Sequence, residues 1–178
     1  MAKRRTSRSS GDTLYPEQVP LKFDQRLVLL QWMLWLFDKT TIQQIADPLK
    51  SPDLEGLNED NTHKYLPAIK ALWEFKQFPG DTLLGYDQNI VKHTLRLNEH
   101  RDESIRWKYF QWLSLLFTEV YLDRFFNDPV KLLAELNAFV EQFNKGKLEN
   151  DQIPPYEEGD LRKLAFWNAT GSGKTLLM

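Results

Sequence analysis

The residues best equipped for chemistry stand at 166–178, FWNATGSGKTLLM. Ala169, Thr170, Gly171, Ser172 and Gly173 are small, and the two glycines let the backbone turn sharply and approach a ligand closely. Lys174 and Thr175 follow, and Lys174-Thr175-Leu176-Leu177-Met178 has the composition of the first turn of a helix. Backbone N–H groups from Thr170 to Thr175 would form an anion nest, reinforced by the positive end of the new helix dipole. In such a loop Lys174 bridges the β- and γ-phosphates of ATP, and the Thr175 hydroxyl takes a position on Mg²⁺. The pattern G-x-x-x-x-G-K-[ST] is broken at one place, where Asn168 stands for the first glycine; that position closes a strand and does not itself grip phosphate.

A phosphate loop needs a strand before it. Leu164-Ala165-Phe166-Trp167 is apolar, and its length suits a buried parallel strand better than a helix. The plain alternative is a Gly/Ser-rich turn that happens to carry a lysine, and the match of the whole run ATGSGKT together with its flanks disfavours it.

KLAFWNATGSGKTLLM resembles motif I of superfamily 2 DEAD/DEAH-type helicases, nearest to the branch of type III restriction enzyme Res subunits. The run RWKYFQWLSLLFTEVYLDRFFNDPVKLLAELN, at 106–137, is similar to the helical region that precedes motif I in some of those proteins. The resemblance implies an ATP- and Mg²⁺-dependent helicase or translocase acting on DNA, alongside a methyltransferase or nuclease subunit. It also implies that the acidic DEAH-type motif and the arginines of the second RecA-like lobe lie beyond Met178. On that reading no catalytic residue falls within these 178 residues, which would not turn ATP over by themselves. Two other classes stay open: a P-loop ATPase that remodels protein, and a non-catalytic helical interaction module.

Composition sets the frame. There is no cysteine, which excludes disulfides and thiolate metal sites and suits a reducing, cytoplasmic setting. The net charge of −2 does not make the chain a polycation. The start MAKRRTSRSS has charge without a following apolar segment, unlike a secretion signal. The most apolar run, Leu27 to Phe37, is well short of the roughly 20 residues of a membrane span, so no membrane is expected.

The fold expected is mainly α: a basic tail over 1–20, a helical region over 21–145, a polar linker over 146–161, and over 162–178 the start of a RecA-like ATP-binding domain. Lys3, Arg4, Arg5 and Arg8 of the tail suit a nucleic-acid backbone or plain solvation. A helix is expected after Asp24, with Phe23 stapled onto Val28. A second should begin at Ile42, capped by Thr41 with Gln44 and stopped by Pro48. A helical pattern follows over His63–Gln77. The connection PLKSPDLEGLNEDN is too long and too acidic for a helix-turn-helix. Asp87 is expected to open a further helix, with the longest over Ile105–Phe126. Asp128 and Pro129 should start a last one, which Gly146 ends.

Four other patterns bear on function. Pro52-Asp53 with Glu74-Phe75-Lys76 matches the loose PD…ExK signature of Mg²⁺-dependent nucleases, but in a helical rather than a strand setting. His63, His93 and His100 lack metal-ligand spacing and read as ordinary polar positions. The aromatic stripes of the longest helix read as core before they read as a base-stacking platform. Gln152 and Tyr156 are candidates to contact an adenine, or plain loop residues.

Overall fold

The computed structural model describes residues 23–72 and 79–166, and in them the chain is a helical bundle. The helices are α1 (Phe23–Arg26), α2 (Val28–Leu36), α3 (Ile42–Ala46), α4 (Tyr65–Ala71), α5 (Gly80–Asn98), α6 (Tyr109–Asn127) and α7 (Pro129–Asn144). Short 3₁₀ turns occupy Asp47–Leu49, Pro52–Leu54, Glu149–Asp151 and Glu158–Arg162. Among the described residues the only β pairing is an isolated bridge between Leu57 and His63. The mainly α expectation holds.

Helix α2 is apolar nearly all round and is accordingly enclosed: Val28, Trp32, Met33, Leu34 and Leu36 are buried. It ends in a Schellman turn. Asp38 adopts φ 51°, its N–H reaches Trp35 O at 3.0 Å, and the Lys39 N–H reaches Leu34 O at 2.9 Å. Asp24 falls inside α1, and Leu27 (φ −80°, ψ 88°) separates α1 from α2, so the single helix expected after Asp24 is interrupted.

Helix α3 starts and stops as its residues dictate. The Gln44 side chain reaches back to accept from the N–H groups of Thr40 (2.8 Å) and Thr41 (3.1 Å). Pro48 then stands in the 3₁₀ turn that ends the helix.

The three longest helices pack in sequence, α5 on α6 and α6 on α7, while α7 also meets α2 and α5 meets α4. Each buries a stripe at helical spacing: Leu83, Tyr86, Asp87, Ile90, Val91 and Thr94 on α5; Leu132, Leu136 and Val140 on α7. On α6, Trp112, Leu113, Leu116, Val120 and Tyr121 are buried, and Phe117 meets Phe37 edge-to-face at 5.2 Å. Apart from Phe110, the aromatic side chains of the two stripes are buried in the core or packed against it.

Two helix starts differ from expectation. Helix α5 begins at Gly80, after Pro79, so Asp87 is not a cap but lies mid-helix on the buried face. Helix α6 begins at Tyr109 rather than Ile105 because residues 105–107 are committed elsewhere. The Ile105 N–H donates to Asn98 Oδ1 (2.9 Å), and the buried Trp107 donates from its indole to Thr94 Oγ1 (2.7 Å). The Trp107 carbonyl accepts from the Tyr65 hydroxyl at 3.1 Å.

The start of α7 agrees with expectation: Asp128 Oδ1 accepts from the Lys131 N–H at 2.9 Å, and Pro129 fills the first position. Gly146, at φ 78°, ends it. Among the described residues, no helix is long and apolar enough to cross a membrane.

Candidate functional site

Ala169, Thr170, Gly171, Ser172, Gly173, Lys174 and Thr175 lie outside the described residues, as do Trp167, Asn168 and the basic tail. Described in full is the strap that leads toward the loop, residues 147–164. Its polar, Pro-rich composition reads as a linker, and its backbone is irregular apart from two 3₁₀ turns. It is nonetheless fastened to the helices.

Asn144 donates from Nδ2 to Ile153 O (2.8 Å) and accepts from the Ile153 N–H (2.9 Å). Asn137 makes the same pair of bonds to Tyr156, at 3.1 Å to its carbonyl and 2.7 Å from its N–H. Further on, Leu161 is buried and its carbonyl accepts from the Tyr121 hydroxyl at 2.8 Å. Tyr156 and Leu164 pack against the main core cluster. Leu164, Ala165 and Phe166 belong to no helix or strand among the described residues, and the remainder of the strand expected at Leu164–Trp167 lies outside them.

The two adenine candidates sit on this strap in different states. The Tyr156 ring is half-buried, and burial, with a smaller effect of Asp160, raises its phenol above the usual range. Gln152 is exposed and donates from Nε2 to Lys147 O at 3.2 Å. The Lys147 ammonium lies over the Phe143 ring, and burial lowers its pKa.

A second cluster joins three segments: the 56–63 loop, α5 and α6. Asp87, fully buried on α5, accepts through Oδ2 from the His63 N–H (2.8 Å). Its Oδ1 meets both His63 Nδ1 (2.8 Å) and the Trp112 indole N–H (2.8 Å). The indole and the peptide N–H are donors only, so Asp87 is the common acceptor, and His63 Nδ1 donates to the same carboxylate. In the neutral ring that leaves Nε2 as an acceptor, the arrangement by which a carboxylate fixes a histidine tautomer.

His63 is held from its own side as well. Asn58 and Thr62 close the loop backbone (Asn58 N to Thr62 O, 2.8 Å), Asp60 Oδ1 accepts from the Thr62 hydroxyl at 2.7 Å, and Lys64 N–H reaches Gly56 O at 3.1 Å. His63 lines a groove of about 300 Å³ together with Val91, Leu95, Ser104, Ile105 and Trp107. Among the described residues no hydrogen bond joins Ser104 to His63. What the arrangement does in this state is lock the 56–63 loop, α5 and α6 together.

The sequence suggests an ordinary polar role for His63 and a helix start at Asp87; the structure brings the two together in the core. The signal for Asp87 was its place in the stripe Leu83-Tyr86-Asp87-Ile90-Val91-Thr94, where a carboxylate must find buried donors. His93 and His100 are exposed. Asp53 is exposed in a 3₁₀ turn, and Glu74, Phe75 and Lys76 lie outside the described residues. Among the described residues no group of three or more His, Asp or Glu side chains is placed to hold a metal ion. Comparison with known proteins found no family model, no curated protein and no solved structure that matches the chain.

Proposed function

We propose that the chain is the helical module and phosphate-binding loop of an ATP-dependent helicase or translocase acting on DNA. The observation that carries this reading is the run Ala169-Thr170-Gly171-Ser172-Gly173-Lys174-Thr175 behind an apolar segment, the context in which such a loop grips nucleotide phosphates. Its backbone N–H groups and Lys174 hold the phosphates of ATP, and Thr175 contributes its hydroxyl to Mg²⁺. Catalysis of phosphoryl transfer is chiefly positioning and charge stabilisation, so the loop supplies the cradle while the water-activating acid and the arginines come from further motor lobes. A methyltransferase or nuclease subunit is the expected companion. The helical body supports this reading by holding the chain in place as far as Leu164, which gives a phosphate loop a fixed base.

A different reading, a non-catalytic interaction module, draws on Phe126 and Val130. These two apolar side chains stand four residues apart at the α6–α7 corner, 75 % and 78 % exposed. The deciding experiment is Lys174→Ala in a polypeptide that also supplies both motor lobes. ATP turnover should fall to background, because an ammonium on the phosphates has no substitute in the loop. Near-normal turnover in that variant would reject the loop as the ATP site.

A further inference from the structure

The strap is joined to α7 by a repeat rather than by a scatter of contacts. Asn137 and Asn144 each present a side-chain amide to the backbone of one strap residue, giving and taking one hydrogen bond, as a neighbouring peptide group does in a sheet. The two partners, Tyr156 and Ile153, run antiparallel to the helix.

Geometry explains why this works. Seven residues of α-helix rise about 10.5 Å and return almost to the same face. Three residues of polyproline II rise about 9.3 Å and complete one turn, so residues three apart also share a face. The intervening pair is Pro154-Pro155, which favours that conformation and has no N–H to leave unpaired. Gln152, just before, already has φ −75° and ψ 144°, the polyproline II values. An α-helical repeat of seven is therefore matched to a polyproline repeat of three, and the match fixes the register of the strap on α7.

The geometry points to a latch: Asn137 and Asn144 are positioning residues that hold the strap in one register on α7, and its stretch 152–156 opens as a unit without unfolding the helices. Leu161 and the Tyr121 hydroxyl form its second anchor, on α6. Leu161 belongs to the buried core and stays seated. The stretch from Gln152 to Tyr156 carries the exposed proline pair and is tied to α7 by the four asparagine bonds, which places that stretch at the low-stability end of the strap. Resting on the function proposed above, the closed latch sets where the phosphate loop leaves the helical body, and opening it weakens nucleotide binding.

Amide hydrogen exchange on the 178-residue chain tests the latch. In the wild type, the Ile153 and Tyr156 amides should be protected, yet exchange faster than the core amides of α5 and α6. In Asn137→Ala/Asn144→Ala these two amides should exchange at least tenfold faster, with α5 and α6 unchanged. Asn137→Asp, which keeps the accepting oxygen, should retain most of the protection at Tyr156. Loss of helical signal in the double variant, or strap amides that exchange only with the core, would overturn the idea of a separately opening latch. Unprotected strap amides in the wild type would overturn it too.

The coupling is read in a polypeptide carrying both motor lobes, where the double variant should raise KM for ATP several-fold and leave kcat within twofold. An unchanged KM overturns the coupling. Absence of ATP binding by the wild type rejects the proposed function, and exchange still decides the latch.

Discussion

Asp87 is the residue on which most buried polar chemistry converges. Three donors, from His63 twice and Trp112 once, share one carboxylate with 0 % exposure. A buried donor left without a partner costs roughly 1–3 kcal/mol. Asp87→Ala should therefore destabilise the fold by about 3 kcal/mol or more, read as a lower urea midpoint. A loss under about 1 kcal/mol would mean that the indole and imidazole find other partners or water. The sequence placed Asp87 at a helix start because aspartate is a favoured cap, and that preference is local. Gly80 and Gly85 weaken the helical signal upstream, so the true start was hidden and the buried role with it. His63 was illegible for a different reason: its partner lies 24 residues away, and only the fold brings them together.

At the scale of elements, starts and stops were legible where a side chain satisfies its own helix end. Thr41 with Gln44, Pro48, the pair Asp128-Pro129, and Gly146 all act where the pattern put them. Asp128 deserves a measurement because its cap governs the α6–α7 corner. Asp128→Ala should cost about 1 kcal/mol, the usual value of an N-cap, and leave the m-value unchanged. No measurable change would show that Pro129 alone is enough to start α7. Where tertiary bonds compete, local reading fails. Ile105 to Trp107 have apolar residues at spacing that continues α6, but their backbone and side chains bond Asn98, Thr94 and Tyr65 instead. The strap was legible as polar and proline-rich, while its attachment depends on two asparagines on the face of another element, which no local pattern reveals. The phosphate loop is the reverse case: its chemistry is written in seven consecutive residues, and its geometry lies outside the described ones.

Across the whole molecule, the helices are knitted by tyrosine hydroxyls that reach between elements. Tyr65 bonds the Trp107 carbonyl, Tyr86 bonds Asp123 at 2.8 Å, and Tyr121 bonds the Leu161 carbonyl. Burial pushes the phenols of Tyr65 and Tyr121 up to about 12, and burial with the nearby Asp123 carboxylate raises Tyr86 as well. Their unfolded value is about 10. A raised folded pKa means that the folded state holds the proton more tightly, so the contribution to stability is complete below about pH 10 and is lost as pH climbs through about 12. Lys147 acts in the opposite sense: burial lowers its pKa, so its deprotonation relieves the folded state as pH rises. The tyrosines outnumber it, and the net expectation is alkaline loosening of the bundle. Urea midpoints should stay level from pH 8 to about 10 and then fall steeply. Tyr121→Phe should start from a lower midpoint at pH 8, having lost its bond to Leu161, and then fall less steeply above pH 10 than the wild type. Identical slopes for the two proteins would assign the alkaline loss to groups other than this phenol.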